Sequence, residues 1–226
     1  MPKRALIEKR PWLLASLVAG ISFYFVKDSH LPGLYQMAWK GAGVALLAVY
    51  ALVRHHGLDS RQIAAVMALG ALGDVLIEID MLYGALAFLA GHIVAIWLYA
   101  RHRRSALSTS QRLLAILLVP TVVWIAWSLP GDPMERPGIA LYSTGLAVMA
   151  AMAWTSNFSR YRVGIGAMMF VISDLLIFSR LGPLSASALP GLLIWPLYYF
   201  GQFLICTGVI GELRSRDSAT KAAIRA

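Results

Sequence analysis

Long apolar runs separated by short polar segments make up most of this chain. A helix that crosses a bilayer needs about 20 apolar residues, with a range of about 17–25. The pattern predicts eight such spans, at residues 11–27, 34–53, 62–79, 82–100, 112–129, 138–156, 163–180 and 189–210. We therefore expect an all-α polytopic membrane protein, with residues 1–226 forming a single integral membrane domain.

Composition and charge agree with this interpretation. The chain is 59% hydrophobic and 14% charged, whereas about 25% charged residues are usual in soluble domains. If the N-terminus is cytoplasmic, the loops place sixteen Lys and Arg residues inside and three outside. The inner cations are Lys3, Arg4, Lys9, Arg10, Arg54, Arg61, Arg101, Arg103, Arg104, Arg112, Arg160, Arg162, Arg214, Arg216, Lys221 and Arg225, and the outer ones are Lys27, Arg136 and Arg180. By the positive-inside rule, this distribution predicts cytoplasmic termini. We therefore attribute the net charge of +9 to the topology of the chain and not to binding of nucleic acid.

The N-terminus and the single cysteine exclude other classes. The basic start precedes WLLASLVAGISFYFV without a small-x-small cleavage site, so we expect a retained first span. Short loops and the lack of a targeting sequence favour a bacterial inner membrane. Cys206 alone cannot form an intramolecular disulfide or a cysteine-based metal site.

A short internal repeat links the third and seventh predicted spans. GDVLI at residues 73–77 matches SDLLI at residues 173–177, and the Gly-His pair at 91–92 matches the Gly-Gln pair at 201–202. The pattern predicts two parallel four-helix repeats, related by an axis along the membrane normal. Asp74 and Asp174 should then lie at similar depth and face each other across that axis.

Four ionisable residues stand out within the predicted spans: Lys40, Asp74, His92 and Asp174. Such groups are costly in a bilayer and usually face a bundle interior or a wet cavity, where they mark a functional site. Structural roles remain open. Lys40 can snorkel to the outer headgroups, and His92 can be a core histidine bonded to a backbone carbonyl. The aspartates can pair with Lys40 or cap a broken helix.

Further polar residues lie close to this set. Glu78 is one turn beyond Asp74 on the same helical face and is either a rim charge or a site residue. Tyr198, Tyr199 and Gln202 in the eighth span can bind a headgroup or a carboxylate, or they can form hydrogen bonds between helices. We interpret Asp80 as a loop acid.

Taken together, several strings resemble the YhhN family, the lysoplasmalogenase family of eight-span membrane proteins. The strings are GDVLI, FLAGH at 88–92 followed by Tyr99, FVISD at 170–174 and LYYFGQ at 197–202, and the resemblance covers roughly residues 34 to 210. It implies hydrolysis of the vinyl ether bond of lysoplasmalogens. The products are a fatty aldehyde and glycerophosphoethanolamine or glycerophosphocholine. The resemblance also implies Asp74 and Asp174 as the catalytic residues.

The chemistry suits two buried carboxylates. Vinyl ether hydrolysis begins with protonation of the alkenyl carbon and passes through an oxocarbenium ion, as glycosidase reactions do. Neighbouring carboxylates cannot both ionise, so one remains an acid while the other stays charged. No metal or organic cofactor is required. The predicted substrate-binding residues are Lys40, His92, Tyr198, Tyr199, Gln202 and Glu78, around a lysophospholipid that enters from the bilayer.

Two other functions fit the same pattern. Intramembrane Asp, Lys and His in a repeat also describe a proton-coupled transporter of lipids or small molecules. Transporters often break matching helices in both halves, yet spans three and seven contain no proline. A non-catalytic lipid-binding membrane protein is the third possibility.

Overall fold

The structure is a computed structural model that describes residues 10–225. The predicted inner cations Lys3, Arg4 and Lys9 lie outside the described residues, as do the side chains of Lys221 and Arg225.

Helices account for 81% of the described residues. Within the described range the α-helices are α1 Pro11–Val26, α2 Gly33–Arg54, α3 Leu58–Leu76, α4 Met81–Arg101, α5 Thr109–Ser128, α6 Arg136–Thr155, α7 Ile165–Ser179 and α8 Leu189–Arg225. A short π-helix, Arg160–Gly164, precedes α7. Residues 10–225 form no β-strand, only an isolated bridge between Arg103 and Ser156. The all-α prediction is confirmed.

Six helical stretches are long and apolar enough to cross a membrane. They are α2, α4, α5, α6, the stretch Arg160–Ser179 that contains α7, and α8. The other two helices fall short for different reasons. With 16 residues, α1 reaches only about 24 Å at 1.5 Å per residue. Over its 19 residues, α3 carries Asp59, Arg61 and Asp74. The chain is a multi-pass membrane protein, while the count of eight spans and the orientation of the termini stay predictions.

The outer surface is apolar, as a bilayer requires. Large hydrophobic side chains point outward from several helices, including Phe25 at 78% exposure, Trp124 at 71% and Leu141 at 70%. In water this much uncovered apolar surface would be an aggregation liability, whereas lipid chains solvate it. Helices suit this environment because they satisfy their own backbone hydrogen bonds.

The chain forms two compact units. Among the described residues, unit 1 comprises residues 10–94 and 205–225, and unit 2 comprises Ala95–Leu204. In unit 1, α1 packs on α2 and α2 packs on α3; in unit 2, α5 packs on α6 and α6 packs on α7. The division follows the predicted halves except in α4 and α8, whose C-terminal parts are exchanged between the units.

Two glycines lie at helix contacts in matching places, and at Gly201 the contact leaves no room for a side chain. A Cβ atom placed on Gly91 of α4 would lie 3.6 Å from the carbonyl oxygen of Val66 in α3. A Cβ atom on Gly201 of α8 would lie 2.8 Å from the carbonyl oxygen of Gly166 in α7. The partners are 100 residues apart and the glycines 110 apart, which are the offsets of the sequence repeat. These contacts support the predicted repeat, which stays a prediction.

Candidate functional site

Three helices of unit 1 converge around Asp74, whose exposure is only 2%. Small residues make this approach possible. A Cβ on Gly41 of α2 would lie 2.9 Å from Val75 Cγ2 of α3, and a Cβ on Gly73 would lie 2.8 Å from the ring of Phe88 in α4. Gly41 lets α2 pack tightly against α3, and Gly73 lets the ring of Phe88 in α4 do the same. Both contacts are made at residues next to Asp74 in α3, so they help to bury it.

His92 lies in the same unit and is 4% exposed. It follows Gly91, where α4 approaches the backbone of α3. The predicted burial of this residue within a span is confirmed, and its role in binding substrate stays a prediction.

Lys40 forms an ion pair with Glu78, with 2.5 Å between Nζ and Oε1. The lysine side chain is 17% exposed and the glutamate side chain 47% exposed. This half-exposed position fits a charge at the rim of a site, one of the two interpretations of Glu78. Asp80 has a structural role instead, because its Oδ1 accepts hydrogen bonds from the backbone N–H groups of Leu82 at 2.7 Å and Tyr83 at 3.3 Å. It thereby caps the first turn of α4.

In unit 2, Asp174 is 5% exposed and accepts a hydrogen bond from Tyr142. The hydroxyl of Tyr142 in α6 lies 2.6 Å from Asp174 Oδ2 in α7. The tyrosine ring packs edge-on against Phe178, with 5.8 Å between centroids. Tyr142 therefore has a fixed orientation toward the carboxylate.

Sequence reasoning missed Tyr142. The signal that points to it is the polar string YST at residues 142–144, which interrupts the sixth predicted apolar span. The string lies near the end of its span that the positive-inside rule assigns to the outside, as Asp174 does in the seventh.

The three predicted binding residues of α8 are all buried in unit 2: Tyr198 at 5%, Tyr199 at 1% and Gln202 at 2% exposure. The ring of Tyr198 meets Phe170 of α7 edge-on, with 5.2 Å between centroids. Tyr199 stacks on Trp195 at 5.8 Å. The rings of both tyrosines thus help to pack α8. The polar group that each of them can present to a substrate is its hydroxyl.

The two aspartates lie in stretches with the same pattern of burial. Residues 71–77 and 171–177 follow the same sequence of buried and exposed positions. Asp74 belongs to unit 1 and Asp174 to unit 2, and each is described within its own unit. The pairing of the two carboxylates stays a prediction from the sequence repeat.

Comparisons with known proteins agree on one family. The model of the YhhN family matches residues 35–209. Two curated proteins, from Mycobacterium bovis and Mycobacterium tuberculosis, are each 27% identical to this chain over 203 residues. Each alignment covers 84% of this chain and 77% of the relative, and both relatives are named lysoplasmalogenase. No solved structure matches this chain significantly.

Proposed function

Because this chain belongs to the YhhN family, we propose that it is a membrane-embedded lysoplasmalogenase. The observation that carries the proposal is the name shared by the two mycobacterial relatives, which align with 84% of the chain. The substrate is a lysophospholipid whose single chain is attached to glycerol through a vinyl ether. The bacterial origin of both relatives supports placement in a bacterial inner membrane.

The proposed reaction is acid-catalysed hydrolysis. A carboxylic acid donates its proton to the alkenyl carbon β to the ether oxygen, which produces an oxocarbenium ion. Water adds to the cationic carbon and loses a proton to a carboxylate. The hemiacetal then collapses, and its carbon–oxygen bond to glycerol breaks to give a fatty aldehyde and the free glycerol hydroxyl.

Asp74 and Asp174 are the proposed acid and base. Both are nearly inaccessible to solvent, and a buried site strengthens the electrostatic stabilisation of the oxocarbenium ion by a carboxylate. The hydroxyl of Tyr142 donates to Asp174 and so orients that carboxyl group. In this proposal one aspartate is the proton donor, and the other stabilises the cation and accepts the proton of water.

The remaining predicted residues bind substrate in this proposal. Lys40 binds the phosphate, which replaces Glu78 as the partner of the ammonium group. His92 orients the attacking water or an aspartate. Tyr198, Tyr199 and Gln202 contribute hydroxyl and amide groups, and the alkenyl chain lies among apolar side chains that are reached from the bilayer.

The test is aldehyde release by the purified chain in detergent, supplied with an alkenyl lysophosphoethanolamine. Asp74→Asn and Asp174→Asn should each lower kcat by at least about 100-fold, the usual contribution of a general acid or base. The matched control is Asp80→Asn, which keeps the oxygen that caps α4 and should retain full activity. Full activity in either of the first two variants removes the two-aspartate mechanism. No aldehyde from the unsubstituted chain overturns the proposed function and favours transport or lipid binding.

A further inference from the structure

Unit 2 contains a cavity that the proposed reaction does not use. It has a volume of about 780 Å³, within the range of about 300–1,000 Å³ that is typical of small-molecule sites. It lies between α5 and α6, and the connection from α4 to α5 forms part of its lining. This is the end of unit 2 that the positive-inside rule assigns to the cytoplasm.

One end of the cavity is strongly basic. Arg103, Arg104 and Arg112 line it, and its lining includes no carboxylate. Arginine binds phosphate through paired, parallel N–H groups in a geometry that lysine cannot supply. Basic pockets between membrane helices on the cytoplasmic side are typical sites for anionic lipid headgroups.

Hydrogen bonds hold this basic end in place. The backbone N–H of Arg104 donates to the carbonyl of Thr155 at 3.3 Å, and its guanidinium donates to the carbonyl of Ser156 at 3.0 Å. The backbone N–H of Asn157 donates to the carbonyl of His102 at 2.7 Å. The arginine-bearing connection is thus fixed to the end of α6, so binding requires little ordering of the backbone.

The other end of the cavity is apolar. Its walls come from residues 115, 116 and 119 of α5 and from residues 148, 151 and 152 of α6, all of them alanine, isoleucine, valine or methionine. From Arg112 to Val119 this wall extends about 10 Å along α5 at 1.5 Å per residue. A charged end followed by an apolar groove matches an amphiphile that carries a phosphate.

We propose that this cavity binds an anionic phospholipid of the bilayer. The phosphate lies against the three arginines, and one acyl chain lies along the apolar wall. Net negative charge on the lipid is required because three cations line the cavity without an acid to balance them. A zwitterionic lysolipid would leave this charge uncompensated.

The basic end of the cavity is remote from the proposed reaction. Thr155, at that end of the lining, lies 13 positions along α6 from Tyr142, the partner of Asp174, a rise of about 20 Å along the helix. The vinyl ether of a lysoplasmalogen is attached to the same glycerol as its phosphate. A substrate bound by these arginines would therefore hold its reactive bond far from Asp174.

The test is lipid retention by the purified full-length chain, measured by native mass spectrometry. The probes are phosphatidylglycerol and phosphatidylcholine of equal chain length, added to the same detergent. The unsubstituted chain should retain phosphatidylglycerol in preference to phosphatidylcholine. The double variant Arg103→Gln, Arg112→Gln should lose roughly 25-fold in apparent affinity for phosphatidylglycerol, at about fivefold for each basic residue.

Two further variants separate specific binding from general charge. Arg61→Gln with Arg162→Gln removes two exposed arginines outside the cavity and should leave retention unchanged. Ala115→Phe fills the apolar wall with all arginines present and should weaken retention of both lipids. Equal loss in the two double variants, or equal retention of the two lipids by the unsubstituted chain, overturns the proposal. Preferential retention of an added lysophosphatidylcholine also overturns it, since the cavity would then be a substrate site.

Discussion

Replacing Tyr142 with phenylalanine removes one hydroxyl and keeps the ring that packs against Phe178. The hydroxyl donates to Asp174 Oδ2 at 2.6 Å, between two buried residues. The substitution therefore tests whether this hydrogen bond orients and stabilises a catalytic carboxyl group.

The expected magnitude follows from the charge on the acceptor. A hydrogen bond to a charged group contributes about 1.5–3 kcal/mol, and about 1.4 kcal/mol corresponds to a tenfold change in rate. If this bond stabilises and orients the Asp174 carboxyl group in the transition state, Tyr142→Phe should lower kcat/KM roughly 10- to 100-fold.

The assay is kcat/KM for aldehyde release at a single pH. Tyr161→Phe is the control, because Tyr161 also belongs to unit 2 but is 77% exposed, and it should keep the kcat/KM of the unsubstituted chain. An unchanged kcat/KM in Tyr142→Phe, in an enzyme that still requires Asp174, would refute the reasoning. An equal loss in Tyr142→Phe and Tyr161→Phe would refute it as well, since the effect would then not come from the bond to Asp174.

Two other predictions concern packing and topology. Gly201→Ala should lower the free energy of unfolding in detergent by about 1–3 kcal/mol, because the new methyl group meets a backbone carbonyl of α7 at 2.8 Å. Gly191→Ala in the same helix meets nothing within 4 Å and should be neutral or stabilising, so equal losses in both variants would contradict this view of the α7–α8 contact. Single cysteines at Ser29 and Ala106, both exposed, should react with a membrane-impermeant maleimide from the outer and the cytoplasmic side respectively. The buried Cys206 should stay unlabelled, and the reverse pattern would invert the predicted orientation.

The helices were predictable because the signals for each one lie in its own residues and in those next to its ends. Apolar runs bounded by charged or turn residues gave positions close to those of α1 to α8, since bilayer thickness sets the length of a helix regardless of its neighbours. The start of α5 shows how local such signals are. Ser108 and Gln111 form a reciprocal capping box there, which depends only on residues three apart. Ends of helices are harder to predict, and α8 continues to Arg225 well beyond the apolar run.

Partners of buried polar groups were not predictable in the same way. Lys40 and Glu78 are 38 residues apart, and Tyr142 and Asp174 are 32 apart. Which polar side chains meet depends on the rotation of each helix about its axis. Glycines such as Gly41 and Gly73 affect that rotation by allowing close approach of one particular face.

The sequence by itself determined that this is a helical membrane protein of the YhhN family, with two buried aspartates in matching motifs. It could do so because hydrophobic length, loop charge and short repeated strings are properties of the chain alone. Only the tertiary structure decided that Lys40 pairs with Glu78, that Tyr142 donates to Asp174, and that arginines and apolar side chains enclose a cavity in unit 2. Each of these depends on which helix faces come together, and packing between helices decides that.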